Sequence, residues 1–449
     1  MTALADATTT SPWRGRHART TVGVFALAFL FAFEALAVAT VMPEVAAELD
    51  GLRWYAVAFA APLAAGVVAL AASGPQVDRL GPGPALRLGL VVFCAGVVIA
   101  GLAPSMPVFV LGRLVHGYGG GVLGVALYVV IAQAYPEAMR PRVFAVLTTA
   151  WVLPALVGPV LAAQVAERVG WRWVFLGVPA VAFAAWLLVA DAPSRRGADG
   201  ADGRNRGRMG WALAVAAGVL AVSVGGQQVV GWWPVLVAVG VLAAVAGGRR
   251  VLPPGSWSLR AGLPAVLGSR AAIGTAMAAA EVYVPLLLVL RRDLTLAGAG
   301  WVLTTGAVTW SAGAVLAARW RLLADQPGRV RTGAVLLATG IAGFATGSLP
   351  GVPLAVAVAA WGVAGLGIGM AFSTLSVLAL ATAAQGEEGR TSSALQLNDY
   401  LANSVGVALG GVLFAAFADS APATAATWLV LAAAAVAVLA LVPAARLRA

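Results

Sequence analysis

The sequence predicts an all-α polytopic membrane protein, and three observations lead there. Hydrophobic residues make up 61% of the 449 and charged residues only 10%, a balance that a soluble domain of this length does not show. Apolar runs near the roughly 20 residues that a bilayer core requires recur along the whole chain. The arginines collect on alternate connections between those runs, as expected of a chain that crosses a membrane repeatedly.

Taken in order, residues 1–20 form a cytoplasmic tail that carries Arg14, Arg16 and Arg19. The apolar run that follows is too long for a signal-peptide core and lacks a clear cleavage site, so it is expected to stay as the first span. Runs at about 21–43, 53–73, 84–103, 107–130, 142–165 and 173–190 make an N-terminal six-helix bundle over 21–190. The cytoplasmic linker 191–209 interleaves Gly, Asp and Arg and reads as flexible. Within 210–248, shorter runs at about 210–226 and 231–247 are expected as two inserted transmembrane helices, although a re-entrant hairpin would carry the same pattern. A second linker, 249–264, leads to runs at about 265–290, 296–318, 332–348, 353–379, 392–417 and 423–443. These make a C-terminal six-helix bundle over 265–443, followed by a tail at 444–449. The expected total is 14 transmembrane helices.

Charge tests the parity of that count. With both termini cytoplasmic, the inner segments hold 23 of the 29 arginines, Arg87 and Arg270 among them. The outer segments hold Arg53, Arg168, Arg172, Arg291 and Arg292, and Arg113 lies within a span. An odd count would turn the arginines of the second half outward, against the positive-inside rule. The net charge of +11 is therefore topological and points to no nucleic-acid partner. A lone Cys94 excludes an internal disulfide, and His17 and His116 without a Cys/His cluster suggest no metal site. No cofactor is expected, and without a Walker A motif ATP drive is not indicated. The outer loops are short, so cargo must be selected inside the membrane.

Ionisable side chains at bilayer depth cost at least about 2.5–3.5 kcal/mol on insertion scales, which makes each one a functional candidate. Glu34, Arg113, Glu281 and Asp399 are the candidates. At about 1.5 Å per residue the first three share a depth, with Asp399 nearer the inner face. A carboxylate that exchanges an arginine neighbour for an apolar cavity changes its proton affinity, which is what proton coupling needs. The alternative for each carboxylate is a plain hydrogen bond to a neighbouring helix.

Three motifs sharpen the reading. Gly74-Pro75-Gln76-Val77-Asp78-Arg79-Leu80-Gly81, with Arg87 shortly after, reads as a short charged turn between two long apolar runs. It resembles motif A of the major facilitator superfamily, Gly-x-x-x-Asp-Arg-x-Gly followed by basic residues. Arg113-Leu114-Val115-His116-Gly117-Tyr118-Gly119 resembles motif B, Arg-x-x-Gln-Gly-x-Gly, which the family associates with proton transfer; here His116 stands in place of Gln and can titrate near neutral pH or simply keep a hydrogen bond. Around Gly158-Pro159 the fifth span resembles motif C, which in the family marks exporters of the antiporter type, although Pro154, Ala162 and Ala163 replace glycines. A Gly-Pro step kinks a helix and suits a gate, while ordinary small-residue packing is its plainer reading.

The resemblance implies the major facilitator fold, two six-helix bundles around a central cavity. With two inserted helices it is similar to the fourteen-helix drug:proton antiporter branch. That likeness implies proton-coupled efflux of a hydrophobic or amphipathic small molecule by alternating access, with cargo, protons and the lipid bilayer as partners. The expected setting is a bacterial plasma membrane and the expected state a monomer. In this reading Glu34 releases Arg113 on protonation, and Glu281 binds cationic cargo or carries a second proton. A symporter or facilitator for a small nutrient and a membrane-embedded enzyme acting on lipid-linked substrates are the alternatives; the enzyme lacks an evident catalytic constellation. Trp171-Arg172-Trp173 reads as an interfacial anchor. Phe25, Phe29 and Phe33 share one helix face and are candidates for a cavity wall or for packing. Gly362, Gly365, Gly367 and Gly369 are expected to serve close helix packing.

Overall fold

The computed structural model describes residues 12–13, 15–136, 139–190, 202–227, 231–319, 325–382 and 388–447. The described chain is all-helical. Its helices are α1 (Gly15–Glu48), α2 (Tyr55–Leu80), α3 (Pro82–Gly101), α4 (Met106–Ala134), α5 (Arg140–Val169), α6 (Arg172–Leu176), α7 (Val178–Leu187), α8 (Asp202–Gly225) and α9 (Trp233–Val251). They are followed by α10 (Leu263–Arg292), α11 (Leu296–Arg319), α12 (Gln326–Gly347), α13 (Leu354–Ala381), α14 (Glu388–Ala415), α15 (Pro422–Leu439) and α16 (Leu441–Ala444). Among the described residues 10 helices are long and apolar enough to cross a membrane.

The packing repeats. In the first half α1 packs on α5, α2 on α4 and α3 on α4; in the second, α10 packs on α14, α11 on α13 and α12 on α13. Small residues make this possible, because without a hydrophobic force between helices in lipid, association depends on close backbone approach. A Cβ on Gly96 of α3 would fall 2.1 Å from the backbone nitrogen of His116 on α4, and one on Gly365 of α13 would fall 2.2 Å from the Gly306 carbonyl on α11. The two halves meet where α2 lies on α14, α5 on α11 and α1 on α10. The pair α8 and α9 packs together, and α8 lies against both α2 and α14, beside the seam between the halves.

The structure corrects four local expectations. Motif A is not a turn flanked by helices: α2 runs on through Leu80, and the chain reverses at Gly81, whose φ of 82° suits glycine and whose N–H caps the Val77 carbonyl at 2.8 Å. Pro82 then sits in the first turn of α3, where its missing N–H costs nothing. The linker expected to be flexible over 191–209 is helical from Asp202, because α8 extends back into it; residues 191–201 lie outside the described residues. The sixth run is broken at Gly177 into α6 and α7. Trp171 is no interfacial anchor: it is fully buried, with its indole N–H on Glu48 at 2.7 Å and its ring edge-on to Phe109 and Phe175. Trp173, 57% exposed, keeps the position an anchor needs.

Candidate functional site

A cavity of about 350 Å³ lies between the halves, walled by α1, α2, α4, α10 and α14. The ionisable residues expected at bilayer depth or in motif B all border it: Glu34, Arg113, His116, Glu281 and Asp399. The remaining wall is largely apolar and aromatic, with Phe31, Phe59, Leu63 and Tyr400. A smaller cavity of about 220 Å³ shares Phe31 and Tyr400 with it and is lined further along the bundle by Leu70, Tyr128 and Gln396.

Three of the charged side chains form one buried group. Arg113 and His116 are three apart on α4 and so share a face; both are 4% exposed, and Glu34 on α1 is 2% exposed. Arg113 Nη1 donates to Glu34 Oε1, and its Nε donates to the Ala58 carbonyl of α2 at 3.2 Å. His116 Nε2 lies 2.8 Å from Glu34 Oε2, in ion-pair range but off hydrogen-bond alignment. His116 Nδ1 stands 3.3 Å from Arg113 Nη1, which can only donate. Nδ1 must therefore accept, which places the proton of the neutral ring on Nε2, toward the carboxylate. The ring is seated on Phe93 of α3 at 4.6 Å between centroids. Motif B glycines set these helices close: a Cβ on Gly117 would fall 2.3 Å from Pro62 of α2, and one on Gly119 would fall 2.2 Å from the Phe93 nitrogen.

Asp399 has a partner that sequence reasoning missed. Arg270 of α10 grips it with Nε at 2.9 and 3.0 Å from the two carboxylate oxygens and Nη2 at 2.9 Å from Oδ2. The same guanidinium donates to Ser376 Oγ at 2.8 Å and stacks 3.6 Å from the Phe372 ring centroid. Arg270 had been assigned to a cytoplasmic segment; it is 8% exposed inside α10. Its signal was present, since the apolar run beginning at about 265 already contains it. Glu281, by contrast, faces the cavity with no hydrogen-bond or ion-pair partner among the described residues.

The other motifs lie elsewhere. Gly158 and Pro159 of motif C are inside α5, and a Cβ on Gly300 of α11 would fall 3.1 Å from Pro159, so the Gly-Pro step sits where the halves touch. In motif A, Gly74, Asp78 and Arg79 belong to the last turns of α2, and Arg87 is exposed on α3. Phe25, Phe29 and Phe33 stack in series at 6.1 and 6.3 Å but do not border the cavity; Phe33 turns toward Gly158. Gly365, Gly367 and Gly369 do sit at close helix contacts, within 2.4 Å of neighbouring backbone for an added Cβ.

Contacts gather at one end of the bundle. At the end where α1 finishes and α2 begins, Arg53 grips Asp419 with Nε at 2.9 Å. Tyr55, Tyr283 and Phe414, one from each of α2, α10 and α14, pack with centroids 5.1 to 6.2 Å apart. Glu167 of α5 accepts the Ala297 N–H of α11 at 3.0 Å. The Arg53–Asp419, Tyr55–Tyr283, Tyr55–Phe414 and Glu167–Ala297 contacts join the first half to the second.

Comparison with known proteins agrees with this architecture. The family model described as Major Facilitator Superfamily matches residues 24–407. The chain belongs to the major facilitator superfamily. A Mycobacterium tuberculosis protein named "Probable multidrug-efflux transporter" is 26% identical over 433 residues, covering 91% of this chain and 90% of that protein. Among solved structures, a peptide transporter is similar with a TM-score of 0.70 at 16% identity, covering 98% of both chains. An inward-facing, unoccupied bacterial homologue of the human lysosomal transporter Spinster is similar with a TM-score of 0.67 at 13% identity, covering 96% of both. The protein is thus a multi-pass membrane transporter of small-molecule cargo, and not an enzyme.

Proposed function

We propose that this transporter is a proton-coupled antiporter that exports a hydrophobic or amphipathic small molecule by alternating access. The observation that carries this reading is the Glu34 carboxylate, held by Arg113 and His116 at the wall of an apolar cavity that also presents the unpartnered Glu281. Protonation of Glu34 removes the charge that holds Arg113 on α1, so α4 and α1 part more easily and the proton becomes coupled to the packing of the helices around the cargo. Glu281 then receives a cationic group or a second proton. Motif C at the α5–α11 contact supports an exporter, as does the printed name of the M. tuberculosis relative.

In this reading the chain crosses the membrane 14 times, with both termini cytoplasmic, as a monomer in a bacterial plasma membrane. The six-helix bundles lie over 21–190 and 265–443, and the inserted pair over 210–248. In the same reading the Arg53–Asp419 end faces outward and is closed by that pair and by the packing of Tyr55, Tyr283 and Phe414. The deciding experiment uses everted vesicles with a preset pH gradient. Added lipophilic drugs should collapse the gradient with the native chain and fail to do so with Glu34→Gln. If Glu34→Gln keeps full drug-driven proton release, the assignment of Glu34 is wrong; if no drug moves protons with the native chain, antiport of such compounds is wrong.

A further inference from the structure

A separate cavity of about 420 Å³ opens between α9, the loop that follows it, and the faces of α10 and α14. It is not part of the central site: Asn398 lines it, whereas the next residue, Asp399, lines the central cavity. Leu252, Leu259, Ala271, Leu401 and Val405 make its wall apolar, and Trp257, 46% exposed, stands at its edge. The charges near this apolar cleft indicate what it can hold.

Two arginines are tied to residues of the wall. The Arg249 guanidinium, at the end of α9, lies 5.8 Å from the Trp257 ring centroid. Arg446 donates from Nη1 to the Leu259 carbonyl at 3.1 Å. Arg250, next to Arg249, and Arg260, next to Leu259, are exposed. Leu259 has φ of 51°, a left-handed conformation that a bulky residue rarely adopts, and its side chain reaches Gly268 so closely that a Cβ there would fall 2.5 Å from Leu259 Cδ2. The loop is therefore held in a costly shape against α10. Apolar depth, an edge tryptophan and two guanidinium groups held on wall residues Trp257 and Leu259 make a pattern that suits one amphiphile. An acyl chain fills the depth, the indole sits at headgroup level, and the arginine forks match a phosphate.

We propose that this cleft seats an anionic phospholipid, with one acyl chain between α9 and α10/α14 and its phosphate on Arg249 and Arg446. The lipid bridges the inserted helix pair to the second half of the transporter. The test is native mass spectrometry and thermal unfolding of the purified full chain with added phosphatidylglycerol, phosphatidylcholine or free glycerol phosphate. Phosphatidylglycerol should be retained in preference to phosphatidylcholine and should raise the unfolding midpoint, while glycerol phosphate alone should not. Each arginine neutralised should weaken phosphatidylglycerol about five-fold, and Arg249→Gln with Arg446→Gln together roughly 25-fold. Arg249→Lys with Arg446→Lys should keep most of the preference. Ala271→Phe, which fills the cleft, should abolish retention while leaving the midpoint in phosphatidylcholine unchanged. Equal retention of the two lipids, a preference that survives the double glutamine variant, or glycerol phosphate matching the whole lipid would each overturn the proposal.

Discussion

Glu34 on α1 and Arg113 on α4 stand 79 residues apart in the chain and form an ion pair whose side chains are 3% and 5% exposed. Taking either charge away leaves the other buried without its charged partner, which costs about 3–5 kcal/mol, whereas removing both leaves a loss of packing and of the lesser contacts to His116 and the Ala58 carbonyl. Glu34→Ala and Arg113→Ala should therefore each destabilise the purified protein by about that much. The double variant should lose much less than the sum. Thermal unfolding of the three variants in detergent checks this. Losses that add within about 0.5 kcal/mol would mean that the two side chains do not depend on one another.

His116 presents an accepting Nδ1 to Arg113 and turns Nε2 toward Glu34, 2.8 Å from Oε2. A glutamine can offer the same two functions, a carbonyl and an N–H, whereas leucine offers neither. His116→Gln should keep drug-driven proton release and its pH profile. His116→Leu should lower the rate about ten-fold or more, because buried partners are left unsatisfied. A flattened pH profile in His116→Gln at normal expression would instead assign the coupled proton to the imidazole itself.

The general fold was legible because hydropathy and arginine placement are global signals that small local errors do not disturb. The shared depth of Glu34, Arg113 and Glu281 followed from helical rise alone, and all three border one cavity. Asp399 was read as lower, yet it joins them, because the cavity extends along α14 from Asp399 to Val407. Arg270 was missed for a physical reason: an arginine near a helix end is indistinguishable in sequence from a cytoplasmic one, and only the tertiary approach of α14 shows that it is paired. Trp171 was misread similarly, since an amphipathic tryptophan beside an arginine fits an interface equally well until Glu48 is placed against it.

Glu281 offers a carboxylate to the cavity beside the aromatic and aliphatic side chains of Phe31, Phe59 and Leu63. Glu281→Gln keeps the shape and removes the charge. Transport of permanently cationic drugs should fall about ten-fold or more, with neutral cargo of the same size little affected, since an uncompensated buried cation is the costly case. Drug accumulation in everted vesicles with matched cationic and neutral probes makes the comparison. Equal losses for both would move Glu281 from cargo recognition to proton transfer.

At the end that Arg53 and Asp419 join, hydrogen bonds from the Arg53 guanidinium hold the Asp419 carboxyl below the usual carboxylate range. A carboxyl lowered in this way contributes its share to closure in full above about pH 4, the ordinary aspartate value, and loses it only as pH falls through the lowered value. Closure of this end should therefore not respond to Asp419 titration between pH 5 and 8. Spin labels on cysteines placed at the exposed Leu102 and Leu349, in a Cys94→Ser background, report the separation of the two halves at that end. The native pair should give one unchanged distance across that pH range. Asp419→Asn should populate a longer distance by a few-fold at most, because an exposed ion pair is screened by water and the packed Tyr55, Tyr283 and Phe414 remain in place. Opening of the native protein between pH 8 and 5 would show that the gate answers to a group deeper in the bundle, and Glu34→Gln would then separate the coupled carboxylate from the lock.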